Sequence, residues 1–175
     1  ELVNNDRLIG GVTQRCAQLA QAFYQTFVKG SCHITQAVTA ELAKLTENAY
    51  RDVNIAFANE LSMICDQVDC NVSELIALAN HHPRVNILQP GPGVGGHCIA
   101  VDPWFIVDAA PKQANLIRTA RNVNDTKTEH VLQKIQNTLE CLDNPVVACL
   151  GLAFKPNVDD LRGSPALTIV NRLAS

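Results

Sequence analysis

Residues 36–69 read QAVTAELAKLTENAYRDVNIAFANELSMICDQVD, with neither glycine nor proline to interrupt them. Leu42, Leu45, Ala49, Ala56, Leu61, Ile64 and Val68 recur there at helical spacing. The pattern predicts one long helix from Gln36 to Asp69, of the sort that forms a subunit interface. A helix buried within a single chain fits the pattern equally well.

Upstream, Arg7 to Val12 (RLIGGV) reads as a short strand. Thr13 is placed to cap a helix running to about Val28. Gly30 to Thr35 (GSCHIT) is a connector or short strand. Downstream, Asn71 with Glu74 three residues on resembles a capping box for a helix ending near Asn80. Pro83 to Gly96 is a proline- and glycine-rich loop, and Asn115 to Leu142 looks helical. Pro145 to Phe154 (PVVACLGLAF) is nearly all apolar, as expected of a buried parallel strand. Ser164 and Pro165 suit the cap and first residue of a closing helix. Strand, loop and helix at this end read as the start of a βαβ unit. Both ends look cut, which suggests part of a longer protein.

The composition is that of an ordinary globular chain: 175 residues, 47% hydrophobic and 18% charged. A net charge of −3 gives no electrostatic case for nucleic acid or an acidic membrane. No apolar run approaches a membrane span. Seven cysteines, an odd number without framework spacing, read as reduced thiols of a cytoplasmic protein.

Residues 89–105, QPGPGVGGHCIAVDPWF, carry the chemistry. Gly91, Gly93 and Gly96 spell the dinucleotide fingerprint. That motif needs a strand before it and a helix opening on its last glycine. Pro90 and Pro92 interrupt it here, and Pro103 is expected to truncate any helix that follows. Gly91, Gly93, Gly95 and Gly96 instead let the backbone turn sharply and approach a ligand, or they mark a plain surface loop. Cys98 is a candidate nucleophile if its thiol is accessible and electrostatically supported, or else a small buried hydrophobe. His97, pointing the other way in extended chain, is a doubtful base. Asp102 comes within reach of Cys98 if the segment coils.

On the long helix Lys44, Asn48 and Arg51 share a face. A lysine beside an amide donor can donate a proton and steady an oxyanion. A solvated helix face is the plainer reading. His81–His82, Cys32–His33 and His97–Cys98 lack zinc-site spacing, so no metal is assigned. After the apolar run, Lys155 and Arg162 suit phosphates, and Asp159 and Asp160 suit either a metal site or, the plainer reading, turning the loop.

Three segments taken together, AELAKLTENAYRDVNIAFANE, PGPGVGGHCIAVDPWF and GLAFKPNVDDLRGSP, resemble the UDP-glucose/GDP-mannose dehydrogenase family in order and spacing. The resemblance implies a mainly α central dimerisation domain, with helices like those of 6-phosphogluconate dehydrogenase. The start of an α/β Rossmann-like nucleotide-binding domain follows it. It places the tail of an NAD-binding domain at 1–14, the helical domain with its cysteine loop at 15–112, and the nucleotide-binding domain from 113 to 175. The family's own dinucleotide fingerprint would then precede Glu1.

The implied activity is two successive oxidations of a sugar primary alcohol to a carboxylate, with two NAD⁺ and a UDP-sugar substrate, in a homodimer built on the long helix. By the same resemblance Cys98 is the nucleophile, Lys44 the proton donor, Asn48 its amide partner, and Asp102 the residue that orients water and lysine. Arg51, His82, Arg84, His97, Lys155 and the loop glycines Gly91, Gly93, Gly95 and Gly96 would bind substrate, with Arg84 reaching the neighbouring subunit. Arg162 would lie near the NAD pyrophosphate, with Gly163 standing where the family often has glutamate. His97 and Ile99 look like the branch acting on N-acetylated sugars. A neighbouring sugar specificity, or a dimerising helical module without activity, are the competing readings.

Overall fold

The computed structural model describes residues 2–174. Two compact units divide the chain, Glu1–Glu47 and Asn48–Ser175. In the first, strand β1 (Arg7–Gly11) pairs in parallel with β2 (Cys32–Gln36), Ile9 opposite Ile34. Helix α1 (Gln14–Tyr24) connects them. Thr13 caps it as expected, its hydroxyl accepting from Cys16 N–H at 3.2 Å. The helix stops four residues before Val28. The chain leaves it in tight turns that bring Gly30 against Asn5, where a Cβ would sit 2.5 Å from the Asn5 backbone. Ile9, Ala17 and Val28 form the small core.

Helix α2 (Ala37–Val68) runs the length that its periodicity demands. Helix α3 (Val72–Ala79) follows, with Asn71 Oδ1 accepting from Ser73 N–H at 2.9 Å and Glu74 N–H at 3.2 Å. After the glycine loop come α4 (Asp102–Ala109), α5 (Asn115–Leu139) and α6 (Pro165–Ala174). Ser164 Oγ accepts from Leu167 N–H at 3.4 Å and donates to Leu152 O at 2.6 Å, so the expected cap also ties α6 to the preceding loop. Helix α5 ends three residues before Leu142, at a turn that leads to Asn144 in the left-handed region and then Pro145.

Two expectations fail. Pro103 does not truncate a helix; it lies in the first turn of α4. The N–H that proline lacks has no partner in a first turn anyway, so proline is tolerated there. Residues 145–154 form no strand. Val146 and Leu150 stand 95% and 98% exposed. A strand needs a neighbour for its backbone groups, and none of the described residues supplies one.

The second unit packs on small and aliphatic side chains, among them Ala49, Ala56, Ala58, Ile76, Val107, Ala120, Leu132 and Ile169. Most of its largest fully buried side chains, however, are polar, Ile76 and Pro103 being the exceptions. Asp52 on α2 and Arg121 on α5 form an ion pair at 2.6 Å, their side chains 0% and 2% exposed. Burial pushes the Asp52 carboxyl up, against the pull of the guanidinium. Lys127, whose ammonium burial pushes down, donates to Ser62 Oγ at 2.6 Å. None of the helices among the described residues is long and apolar enough to cross a membrane.

Candidate active site at the glycine loop

The loop from Gly91 to Val101 is a backbone feature held by side chains. Gly93 and Gly96 have φ of +140° and +84°, where a side chain would be strained. Their missing Cβ positions are also occupied. At Gly93 a Cβ would lie 2.5 Å from Thr128 Oγ1, and at Gly96 it would lie 2.9 Å from the Phe154 ring. The glycines therefore let the chain press against α5 and Phe154. Gly91 is different: a Cβ there would meet only Gly93 O, at 3.9 Å. Gly96 N–H donates to Arg162 O at 3.0 Å, which joins the loop to the segment before α6.

Beyond the glycines the chain coils, as the placement of Asp102 requires. Val101 and Asp102 N–H both donate to Cys98 O, at 3.0 and 2.8 Å. Cys98 is exposed. Asp102, in the first turn of α4, accepts a short hydrogen bond from Asn48 Nδ2. Asn48 Oδ1 in turn accepts from Arg51 Nη2. Asn48 is 1% exposed, so it does not belong to a solvated face, whereas Lys44 and Arg51 on either side of it are exposed.

Arg162 is locked to Asp160. Its Nε meets Asp160 Oδ1 at 2.9 Å, its Nη2 meets Oδ2 at 2.7 Å, and its own N–H donates to Oδ1 at 3.0 Å. These bonds hold the Asp160 carboxyl far below the usual carboxylate range and raise the guanidinium. Asp160 thus turns the loop, as read from sequence, and orients Arg162 as well. His97 and Cys98 lie close enough to exert charge effects on Asp160 and Arg162 respectively. Lys155 is exposed, its Nζ 5.5 Å from the centre of the Phe154 ring.

Asn48, Arg51, Asp102, Cys98, His97, Gly96 and Arg162 are therefore assembled in the second unit. Lys44 belongs to the first unit and pairs with Glu47 at 3.0 Å. His82 and Arg84 stand exposed on a separate loop, closed where Asn80 bonds both backbone groups of Ile87. Among the described residues no hydrogen bond joins them to the others. A cavity of about 760 Å³ in the first unit, lined by Gly11, Thr13, Gln36 and neighbours, contains none of the candidate residues.

Sequence reading missed Asn59 and Thr128. Gly91 N–H donates to Asn59 Oδ1 at 2.9 Å, and Thr128 Oγ1 donates to Pro92 O at 2.8 Å. Their only signal was spacing. Asn48, Asp52, Asn59 and Ser62 make a polar stripe on α2, and Arg121, Asn124, Lys127 and Thr128 make one on α5.

The sequence pattern of the UDP-glucose/GDP-mannose dehydrogenase family, central domain, matches residues 38–126. The chain belongs to this family. The pattern of the family's UDP-binding domain matches residues 148–175, which include most of the run that forms no strand. The chain is 66% identical, over 99% of its length, to an NDP-N-acetyl-D-galactosaminuronic acid dehydrogenase of Ralstonia solanacearum, covering 41% of that protein. It is 65% identical over its whole length to a UDP-N-acetyl-D-mannosamine dehydrogenase of Campylobacter jejuni, covering 43% of it. Among solved structures, a UDP-N-acetyl-mannosamine dehydrogenase from S. aureus superposes with a TM-score of 0.90 at 50% identity, with 99% of this chain and 42% of that one covered. The chain thus spans about two fifths of the relatives it matches.

Proposed function

We propose that this chain is the central part of an NAD-dependent nucleotide-sugar 6-dehydrogenase acting on a UDP-N-acetylhexosamine, with UDP-N-acetyl-D-mannosamine as the substrate. The observation that carries the reading is the exposed Cys98, borne on a fastened loop whose exit is tied by the Asn48–Asp102 bond. The 65% identity to the C. jejuni UDP-N-acetyl-D-mannosamine dehydrogenase supports the sugar. The Ralstonia relative makes the N-acetylgalactosamine epimer the competing substrate.

NAD, when bound, is the hydride acceptor for both oxidations. Of the candidate residues here, Arg162 fits it. Asp160 occupies Nε and Nη2, which leaves the Nη1 edge for a pyrophosphate. The chemistry assigned to the chain itself begins once the sugar C6 alcohol has become an aldehyde. The Cys98 thiolate adds to the aldehyde carbon and forms a thiohemiacetal. Loss of hydride from that carbon leaves a thioester. Water attacks the thioester, the C–S bond breaks, and the carboxylate leaves while Cys98 regains its thiol proton. A thioester permits oxidation and hydrolysis to run in sequence at one site. Asp102, held by Asn48, orients the attacking water. Lys44, one helical turn before Asn48 on α2, supplies the positive charge that steadies each oxyanion. Arg51 and Lys155 meet the diphosphate end of the substrate. His82 and Arg84 reach the substrate of a second subunit, in a dimer formed through α2.

The full-length protein with Cys98→Ser is expected to form no uronate, a loss of at least about 10³-fold, because no thioester can form. Undiminished uronate formation by that variant would remove the nucleophile assignment. Relative kcat/KM over the manno, gluco and galacto N-acetyl epimers decides the sugar.

A further inference from the structure

Helix α2 holds the glycine loop at both ends. Asn48 grips Asp102 at the exit, and Asn59 receives Gly91 N–H at the entry. The two asparagines are eleven residues apart, about 16 Å along a helix rising 1.5 Å per residue. The entry contact is the last step of a buried relay. Arg121 Nη1 donates to Asp52 Oδ1 at 2.6 Å, and Asn124 Nδ2 donates to the same oxygen at 2.8 Å and to Asp52 O at 3.0 Å. Asn59 Nδ2 then donates to Asn124 Oδ1 at 2.9 Å. Asp52, Asn59, Arg121 and Asn124 are each at most 1% exposed.

Chemistry fixes the direction of this relay. A guanidinium only donates and a carboxylate only accepts. Asn124 must therefore turn its NH₂ to Asp52 and its oxygen to Asn59. Asn59 must then give its NH₂ to Asn124, which leaves its oxygen for Gly91. A second clasp closes one residue on, where Thr128 Oγ1 donates to Pro92 O at 2.8 Å and packs where Gly93 lacks a Cβ.

We propose that Asn59 is a positioning residue for Cys98. The Arg121–Asp52–Asn124 relay orients it to fix the loop's entry at Gly91, and Thr128 assists at Pro92. This rests on the reading of Cys98 as nucleophile. Small displacements of a reacting group can cost orders of magnitude in rate.

The test uses the full-length protein with Asn59→Ala and, separately, Thr128→Val. Two quantities are read: steady-state kinetics, and the rate of Cys98 alkylation by iodoacetamide relative to Cys16 in the same molecules, resolved by peptide mass spectrometry. For Asn59→Ala, kcat is expected to fall at least about tenfold with KM within about threefold, and the Cys98-to-Cys16 rate ratio to change by at least about threefold. Thr128→Val, at a half-buried position that tolerates the isostere, is expected to show the same signature at about threefold in kcat, and it carries the test if Asn59→Ala does not fold. A folded variant whose Cys98 alkylation ratio is unchanged overturns the proposal, as does one with changed alkylation but full turnover. Failure of the nucleophile reading shows itself separately, as uronate formation by Cys98→Ser.

Discussion

Tyr50, Phe57 and Ile64, seven residues apart on α2, stand 69%, 54% and 48% exposed. On the opposite side of the same helix Asn48, Asp52, Asn59 and Ser62 are buried. Alongside the small buried Ala49, Ala56, Ala58 and Cys65, the helix thus turns polar side chains inward and leaves large apolar ones outward. The polar side faces α5 and the glycine loop, where directional bonds to Gly91, Asp102, Arg121 and Asn124 fix one arrangement. The apolar side makes a stripe at heptad spacing, suited to a second copy of the chain. If the apolar stripe seats the second copy proposed above, one face serves position and the other area, and the two should answer to mutation differently.

The largest effect is expected on the polar face. Asp52→Ala leaves Arg121 buried without its carboxylate, and denaturant unfolding should show a loss of about 3–5 kcal/mol. Replacing both partners, as Asp52→Leu with Arg121→Met, should recover most of that loss, because a buried pair often contributes little beyond its own desolvation. Asp52 Oδ2 and Arg121 Nε, buried without hydrogen-bond partners among the described residues, point the same way. If the double variant were as unstable as the single, the relay would be a stability device rather than a positioning one.

On the apolar face, Phe57→Glu should change the unfolding free energy of the isolated chain by no more than about 0.5 kcal/mol, since the site is exposed. The same variant should shift a dimer toward monomer by sedimentation. A large stability loss together with an unchanged molecular mass would mean that this face is covered from within the chain.

A smaller effect lies at the far end of the α2–α5 seam. Lys134, bonding to Asp66 first, and then His130 at 3.0 Å hold the Asp66 carboxyl below its ordinary value. A depressed carboxyl stabilises the fold above its unfolded pKa, and that stability is lost as pH falls through the folded value. Asp66→Asn should therefore flatten the stability curve below about pH 4, by about 1 kcal/mol or less because solvent screens a pair this exposed. An unchanged acid limb would show that the contact contributes nothing.

What was legible in the sequence followed the local rules. The bounds of α2 and the caps at Thr13, Asn71 and Ser164 each depend on residues close in sequence, and the strands at Arg7 and Cys32 find their partner in each other. Proline misled at position 103, because its effect depends on where in a helix it falls. The apolar run at 145–154 has strand composition, but a strand is decided by a partner elsewhere. The polar seam was hidden for a related reason. A polar stripe on a helix reads as a solvent face, and only the opposing stripe on α5, some seventy residues away, shows that it is buried. Lys44, Asn48, Cys98 and Asp102 were candidates from residue type and spacing, and the resemblance of whole segments supplied the roles proposed for them. Asn59 and Thr128 act on backbone atoms of the loop, which leave no mark in a motif.

The most direct measurement is the amount of NADH formed per molecule of UDP-N-acetyl-D-mannosamine consumed to completion by the full-length protein. Two NADH per sugar are expected, from an alcohol carried through a Cys98 thioester to the carboxylate. One NADH per sugar, with the aldehyde as product, would contradict the thioester chemistry and leave the fastened Cys98 loop without its assigned role.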